Sequence, residues 1–354
     1  MARPDLTVVG AGIFGLSIAW AAARRGARVL VVERGRIGAG ASGGLVGALS
    51  PHAPEQWNDK KQFQLDSLLM AEGWWKAVET ASGRFTGYGR LGRLQPLADA
   101  AAVEAARARA IEAETLWQGL ATWEVTRARH RWAPVSASGW MVSDTLSARL
   151  HPRRAVESLA EAIRGHWGRI EQGVESAGIV EMLGEEDGPV VWATGVDGLA
   201  TLSADLGRPM GSGVKGQALS LRMDMGDAPQ IFAEGVHVIP HADGTVAIGS
   251  TSERDWEDPA ATDGQLDDVL ARAITACPWL RGAPVIDRWA GLRPRARSRA
   301  PMLGEWPGRP GQFIANGGFK IGFGMAPKVA EVMADLVLEG RDAIPAAFRP
   351  EANF

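Results

Sequence analysis

Residues 7–35 read TVVGAGIFGLSIAWAAARRGARVLVVERG. Leu6 to Val9 is a short apolar run with β-branched residues that stops at Gly10, the pattern of a buried parallel strand. Leu16, Ala19, Trp20 and Ala23 then recur at helical spacing, and Gly26 stands where a helix-ending glycine belongs. Arg28 to Val32 gives a second strand, closed by Glu33. The stretch is a complete β–α–β unit with a GxGxxG turn. Gly10 allows the tight turn, Gly12 lets a pyrophosphate approach the backbone, and Gly15 lets helix and strand pack closely. The helix N-terminus offers free N–H groups and a partial positive charge to phosphates. Glu33, 18 residues past Gly15, can accept hydrogen bonds from ribose hydroxyls. The unit predicts a dinucleotide site.

The glycines do not distinguish NAD from FAD. The following residues, ERGRIGAGASGGLVGALSPHA, are rich in Gly, Ala and Ser and have no regular period. They read as an extended loop lying against a large ligand. Ser42 is placed to hydrogen-bond a phosphate, and apolar Leu45, Val46 and Leu49 argue against a free linker. An NAD-binding unit more usually enters its next helix soon after the second strand.

Working outward, 354 residues suffice for two domains around a large core. A hydrophobic share of 46% and a charged share of 22% are those of a soluble globular chain. A net charge of −3 gives no electrostatic case for nucleic acid as partner. The single cysteine, Cys277, excludes an intrachain disulfide and a cysteine-based metal site, so no metal is expected; it reads as a small buried hydrophobe. No signal peptide or membrane span is expected, and the chain reads as cytoplasmic. With 14 Trp and only Tyr88 as a phenol, catalysis by tyrosine has almost no candidates.

Lys61 to Ala81 predicts a helix, GRLQPLAD (92–99) a strand and turn, and Ala101 to Thr122 a long surface helix. The basic run RARHRW (127–132) reads as a solvated face rather than a binding patch. LHPRRAVESLAEAIRGHWG gives an amphipathic helix, RIEQGVES a short strand, and GPVVWATGVDG (188–198) a strand running into a small-residue turn. VKGQALSLRM, GVHVIPHADGTVAIGST and RWAGLRPRARS alternate like antiparallel strands, with HADGT as a hairpin turn. GQFIANGGFKIGFGMAPKVAEVMADLVLEG is a second strand, glycine loop and helix. Its apolar stripe is Val329, Val332, Met333, Leu336 and Val337, and Gly340 closes it. One nucleotide domain built from both chain ends follows.

The set GAGIFG, VVERGRIGAGASG, VVWATG, VIPHADGTVAIGST, WAGLRP and GGFKIGFGMAPKVAEVMADL resembles the D-amino-acid oxidase superfamily of FAD-dependent amine oxidoreductases. Within it the chain is most similar to glycine oxidases, with sarcosine oxidase and bacterial D-amino-acid dehydrogenase nearby. Residues 100 to 135 carry no match. The resemblance implies an α/β fold: a Rossmann-like FAD domain of the glutathione-reductase type and a substrate domain on a mixed, largely antiparallel sheet. The FAD domain would comprise residues 1–85, 145–214 and 296–354, the substrate domain 86–144 and 215–295. The implied reaction oxidises the carbon–nitrogen bond of an amino acid or N-substituted glycine. A hydride passes to flavin N5, and the imine product hydrolyses. The acceptor afterwards is oxygen, or a quinone or other carrier as in a dehydrogenase. A biosynthetic amine oxidation of a larger substrate is a further reading. Oligomeric state stays open, a homo-oligomer included.

By motif, the resemblance places FAD against Gly10, Ala11, Gly12, Ile13, Phe14, Gly15, Glu33 and Arg34. Ala41, Ser42, Gly47, Leu49 and Val174 follow, with Ala193, Thr194 and Gly195 in the middle of the chain. Gly318, Phe319, Ile321 and Gly322 would line the flavin. Arg293 of GLRP becomes the clamp for the substrate carboxylate, whose two oxygens its guanidinium fork matches. Strand alternation would put Arg293, Arg295, Arg297 and Arg299 on one face, which also permits a basic surface patch. Lys320 stands where glycine oxidases carry arginine and sarcosine oxidases lysine. It would bind the carboxylate or stabilise the reduced ring, or else snorkel at the surface. His237 falls where a tyrosine often stands. It would hydrogen-bond substrate and add pH dependence near neutrality, or be a satisfied strand histidine. His52 would lie near the flavin edge. A covalent flavin link is not expected, since the cysteine that sarcosine oxidases use after GLRP is absent.

Overall fold

The computed structural model describes residues 3–129, 131–174 and 188–354. The chain opens with β1 (Leu6–Val9), α1 (Ile13–Ala23), β2 (Val29–Glu33) and β3 (Ala48–Leu49). Next come α2 (Asp59–Ser82), β4 (Arg93–Pro96), α3 (Ala100–Leu116), β5 (Trp123–Arg127), β6 (Trp140–Asp144) and β7 (Ala148–Arg149). Then follow α4 (Pro152–Gly165), β8 (Arg169–Gln172), β9 (Val190–Trp192), α5 (Gly195–Asp205) and β10 (Gly211–Arg222). β11 (Gln230–Ala233), β12 (Val236–Pro240), β13 (Thr245–Gly249), α6 (Gly264–Ala276) and β14 (Val285–Ala296) continue, and β15 (Met302–Glu305), β16 (Gln312–Asn316) and α7 (Gly322–Glu339) close it.

Two large sheets organise these elements into a mixed α/β fold. One has the order β15-β16-β9-β1-β2-β8, parallel except for β15. Its central strand β1 is fully buried, as expected of a sequence with apolar Leu6, Val8 and Val9 and only Thr7 polar. α1 is buried along its whole length because it is apolar on every side. It packs against α4 and α7, the latter also held by ion pairs from Arg24 and Arg25 to Glu331 and from Arg25 to Asp335. The other sheet has the order β14-β10-β13-β12-β11-β4-β6-β5 and is antiparallel except for β11 beside β4. The expected boundaries at 214/215 and 295/296 fall inside β10 and β14.

Several expectations need correction. The loop after Glu33 is not simply extended: Ala41–Gly43 forms a single 3-10 turn, and β3 pairs with β7. The helix expected to reach Thr122 stops at Leu116. Trp117 is fully buried, and Gln118 and Gly119 turn the chain with φ of 52° and 71°. The arginine series does not share one strand face, because β14 ends at Ala296. Arg297 and Arg299 lie beyond it, exposed, with Arg299 at φ 61°. The strand expected over 169–176 spans Arg169–Gln172; Glu175 and Ser176 lie outside the described residues. No helix among the described residues is long and apolar enough to cross a membrane.

Candidate active site

The carboxyl ends of β1, β2, β9 and β16 open on one crevice, where ligands of parallel α/β sheets bind. A cavity of about 1050 Å³ runs from there to the antiparallel sheet. At its first end, Gly10 takes φ 105°, and a Cβ there would stand 2.5 Å from the Ala193 carbonyl oxygen. Gly15 presses α1 onto this turn: its added Cβ would lie 2.0 Å from the Gly10 oxygen. Gly12, by contrast, meets only the Ser42 hydroxyl, at 3.3 Å, and lines the cavity. Glu33 accepts from the amides of Ala11 and Gly35, both at 2.8 Å, so its carboxylate shapes the glycine turn. The Ser42 hydroxyl oxygen accepts from Ile13 N–H at 2.9 Å and keeps its own proton to donate. Arg34 pairs with Asp197 at 2.8 Å beside the crevice.

At the other end the loop 317–321 joins β16 to α7. Phe319 sits at φ 43°, a strained conformation for a bulky residue. Its amide donates to the Pro294 carbonyl at 3.0 Å, tying this loop to β14. That bond brings Arg293 and Lys320 together: the Arg293 guanidinium carbon and Lys320 Nζ lie 5.6 and 5.7 Å from the Phe319 ring centre. Arg293 is buried. Nη1 donates to Ser250 Oγ at 2.8 Å, and Nη2 donates to the carbonyls of Thr251 (2.6 Å) and Lys215 (3.2 Å). Three of its five N–H donors are thus spent on the protein, which narrows the expected two-pronged grip. Burial pulls its pKa down to about 10, opposed by Glu253, so it stays charged at neutral pH. Lys320 keeps solvent exposure and lines the same cavity; burial and the neighbouring Arg293 lower its pKa.

His237 on β12 faces this end, its ring tilted against Phe232 at 4.7 Å. Burial, Arg93 and Lys320 push it down to about 3, which corrects the expected titration near neutrality. It is a neutral imidazole, and its buried Nδ1 makes no hydrogen bond among the described residues. Trp289 covers Gly44 and Gly291, where added Cβ atoms would stand 3.4 and 2.5 Å from its ring.

Of the expected site residues, Gly10, Gly12, Ile13, Phe14, Glu33, Arg34, Ala41, Ser42, Ala193, Thr194, Gly195, Gly318, Phe319, Ile321 and Gly322 line the cavity. So do Arg293, Lys320 and His237. Ala11, Gly15, Gly47, Leu49, Val174 and His52 are not among the lining residues. Gly47 is a packing glycine, since a Cβ would stand 1.5 Å from the Leu150 oxygen, and Leu49 is fully buried in the core. His52 is turned onto Gln64, whose side-chain oxygen accepts from its amide at 2.8 Å and contacts its ring; Gln64 is the residue that reaches the cavity. Sequence reading did not single out Ser250, Phe232, Gln64 or Trp289. Ser250 and Trp289 stand inside quoted motifs, whereas nothing local marks Phe232 or Gln64.

A glycine-turn crevice continuous with a cationic pocket defines an oxidoreductase built around a dinucleotide. The chain belongs to the DAO family of FAD-dependent oxidoreductases, whose model matches residues 5–336. It is 29% identical to the glycine oxidase of Pseudomonas putida over 99% of both chains, and 28% identical to that of Pseudomonas aeruginosa over 98% of both. Among solved structures it resembles glycine oxidase from Geobacillus kaustophilus, with a TM-score of 0.82 and 22% identity over 99% of this chain and 98% of that one. Iminodiacetate oxidase from Chelativorans gives 0.82 and 20% identity, covering 98% of both. The lining residues fit FAD. The Gly12 cradle is open, donors and glycines from both chain ends meet in one cavity, and its volume matches a large ligand.

Proposed function

We propose that this enzyme oxidises the carbon–nitrogen bond of a small amino acid or N-substituted glycine, with FAD held non-covalently. The observation that carries the reading is the buried, charged Arg293 beside Lys320. Among the described residues lining the cavity, the acids are Glu33 and Asp197, both on the side of the parallel sheet. A carboxylate therefore has cations to meet there and no acid to repel it. The full-length similarity to glycine oxidases supports the same chemistry.

Bound FAD supplies the two-electron acceptor. The chain's residues supply position. Arg293 and Lys320 hold the carboxylate, which fixes the α-carbon against the loop 317–321. His237 is neutral and takes no proton at physiological pH; it offers a hydrogen bond to the amine. Loss of the α-hydrogen with its electron pair from the neutral amine leaves an iminium ion, and water converts this to the 2-oxo acid, the free amine and a proton.

An anaerobic screen tests the reading. The purified yellow protein is mixed with glycine, sarcosine, iminodiacetate and D- and L-amino acids. Bleaching of the flavin by one of these is expected, and peroxide on readmitting air identifies an oxidase rather than a dehydrogenase. A colourless protein that binds NADH defeats the proposal.

A further inference from the structure

Behind Arg293 lies a buried polar cluster, Lys215, Gln217, Thr251 and Glu253, whose members are not among the residues that line the cavity. The side-chain hydrogen bonds of Arg293 go to two segments, Lys215 and Ser250–Thr251. Both are locked by Glu253. The Lys215 amide donates to the Glu253 carbonyl at 2.9 Å, and the Glu253 amide donates back to the Lys215 carbonyl at 3.0 Å. That Lys215 carbonyl is the one that also accepts from Arg293 Nη2. The Thr251 hydroxyl donates to Glu253 Oε1, which also accepts from Gln217 Nε2 at 3.1 Å. Gln217 N–H in turn donates to Thr251 Oγ1 at 2.8 Å. Lys215 Nζ stands 3.5 Å from Glu253 Oε2 and 3.7 Å from Asp263 Oδ2. Lys215, Gln217, Thr251 and Glu253 are all buried.

We infer that Glu253 is a positioning residue. Through Thr251 and Lys215 it fixes the carbonyl acceptors that aim Arg293 at a substrate carboxylate. A buried ion pair adds little net stability over a well-packed apolar pair, so stability alone is a weak reason for Lys215 and Glu253 to be charged. Their shared effect is geometric. The two backbone acceptors of Arg293 belong to Thr251, whose hydroxyl the Glu253 carboxylate holds, and to Lys215, which pairs with Glu253 through its backbone and its ammonium group; an arginine with three spent donors has little freedom to re-aim. The same cluster holds both feet of the segment 254–262, because Gln217 Nε2 also donates to Asp263 Oδ1 at 2.9 Å; Pro259 and Ala260 of that segment line the cavity.

The inference rests on Arg293 being the carboxylate clamp, and the test separates the two. Glycolate, a carboxylate without an amine, is titrated into the holoprotein and its Kd read from the flavin spectrum. KM and limiting rate are measured with the amino acid the screen identifies. Glu253→Leu, which removes the oxygen that accepts from Thr251, and Thr251→Val should each raise the glycolate Kd about tenfold, with the loss carried by KM and the flavin retained. Thr251→Ser, which restores the hydroxyl, should bring Kd back to within about twofold. Lys215→Met/Glu253→Leu removes both charges and the acceptor, and avoids a buried unpaired lysine if the single variant fails to fold; it should give the same rise in Kd. Raised Kd in Arg293→Lys with unchanged Kd in the Glu253 and Thr251 variants overturns the positioning role and leaves the clamp standing. An unchanged Kd in Arg293→Lys overturns both.

Discussion

Replacing Gly15 by alanine places a Cβ 2.0 Å from the Gly10 carbonyl oxygen, 3.1 Å from its carbonyl carbon and 3.2 Å from Val8 Cγ1. An ordinary carbon–oxygen contact needs about 1 Å more, and the colliding atom is backbone. α1 must therefore lift from β1, both of which are buried in the core. Overpacking of this kind costs about 1–3 kcal/mol, or about 1–4 °C in Tm for a chain of 354 residues. Gly12→Ala differs in kind. Its φ of −84° suits alanine, and the added Cβ meets only the movable Ser42 hydroxyl, at 3.3 Å. That Cβ occupies the side from which a pyrophosphate approaches. Gly12→Ala should thus purify with Tm of the apoprotein within about 1 °C of the parent but with flavin content down at least tenfold. Gly15→Ala should lose Tm in the apoprotein itself. Far-UV circular dichroism melts of the apoproteins and the flavin-to-protein absorbance ratio give both numbers. Equal loss of apoprotein Tm in the two variants, or full flavin in Gly12→Ala, would refute the division between a packing glycine and a binding glycine.

Arg293→Ala should raise KM for a carboxylate substrate about 30- to 100-fold, the worth of a charge-assisted hydrogen bond, while Arg297→Ala and Arg299→Ala change it less than about twofold; steady-state kinetics decides. His237 and His241 are held at about 3 and 4, chiefly by burial, so the folded state keeps them neutral while the unfolded chain protonates near its ordinary 6.5. The unfolded state then binds more protons between about pH 6.5 and 4, and stability falls as pH falls through that window, by about 2 kcal/mol from pH 6 to 5 for the pair. Urea melts at these pH values measure the slope, which His237→Gln/His241→Gln should flatten. Cys277 is fully buried and its thiol is pushed up to about 12, so a thiol reagent should react with it only on unfolding.

The parallel sheet was legible because its signals are local. Glycine spacing, a short apolar strand and the stripe from Val329 to Val337 each lie within one element. The C-terminal loop was also legible, since GGFKIG brings its glycines and Lys320 in sequence. What failed was set by tertiary context. Helix propensity continues past Leu116, but burying Trp117 ends α3 and two positive-φ residues turn the chain. The arginine face was misjudged because alternation holds only while β14 lasts. His237 carries its solution pKa in any sequence reading, and only burial beside Arg93 and Lys320 removes it. Lys215 and Glu253 are far apart in sequence and meet through the pairing of β10 with β13, a contact no local pattern announces.

The most direct measurement compares one substrate with its own methyl ester. The amino acid that bleaches the flavin fastest and its ester are mixed anaerobically with the holoprotein, and the second-order rate of flavin reduction is recorded for each. The carboxylate should react at least about 100-fold faster, since only it engages Arg293 and Lys320. Equal rates, or a faster ester, would mean that this cationic end of the cavity does not hold the substrate.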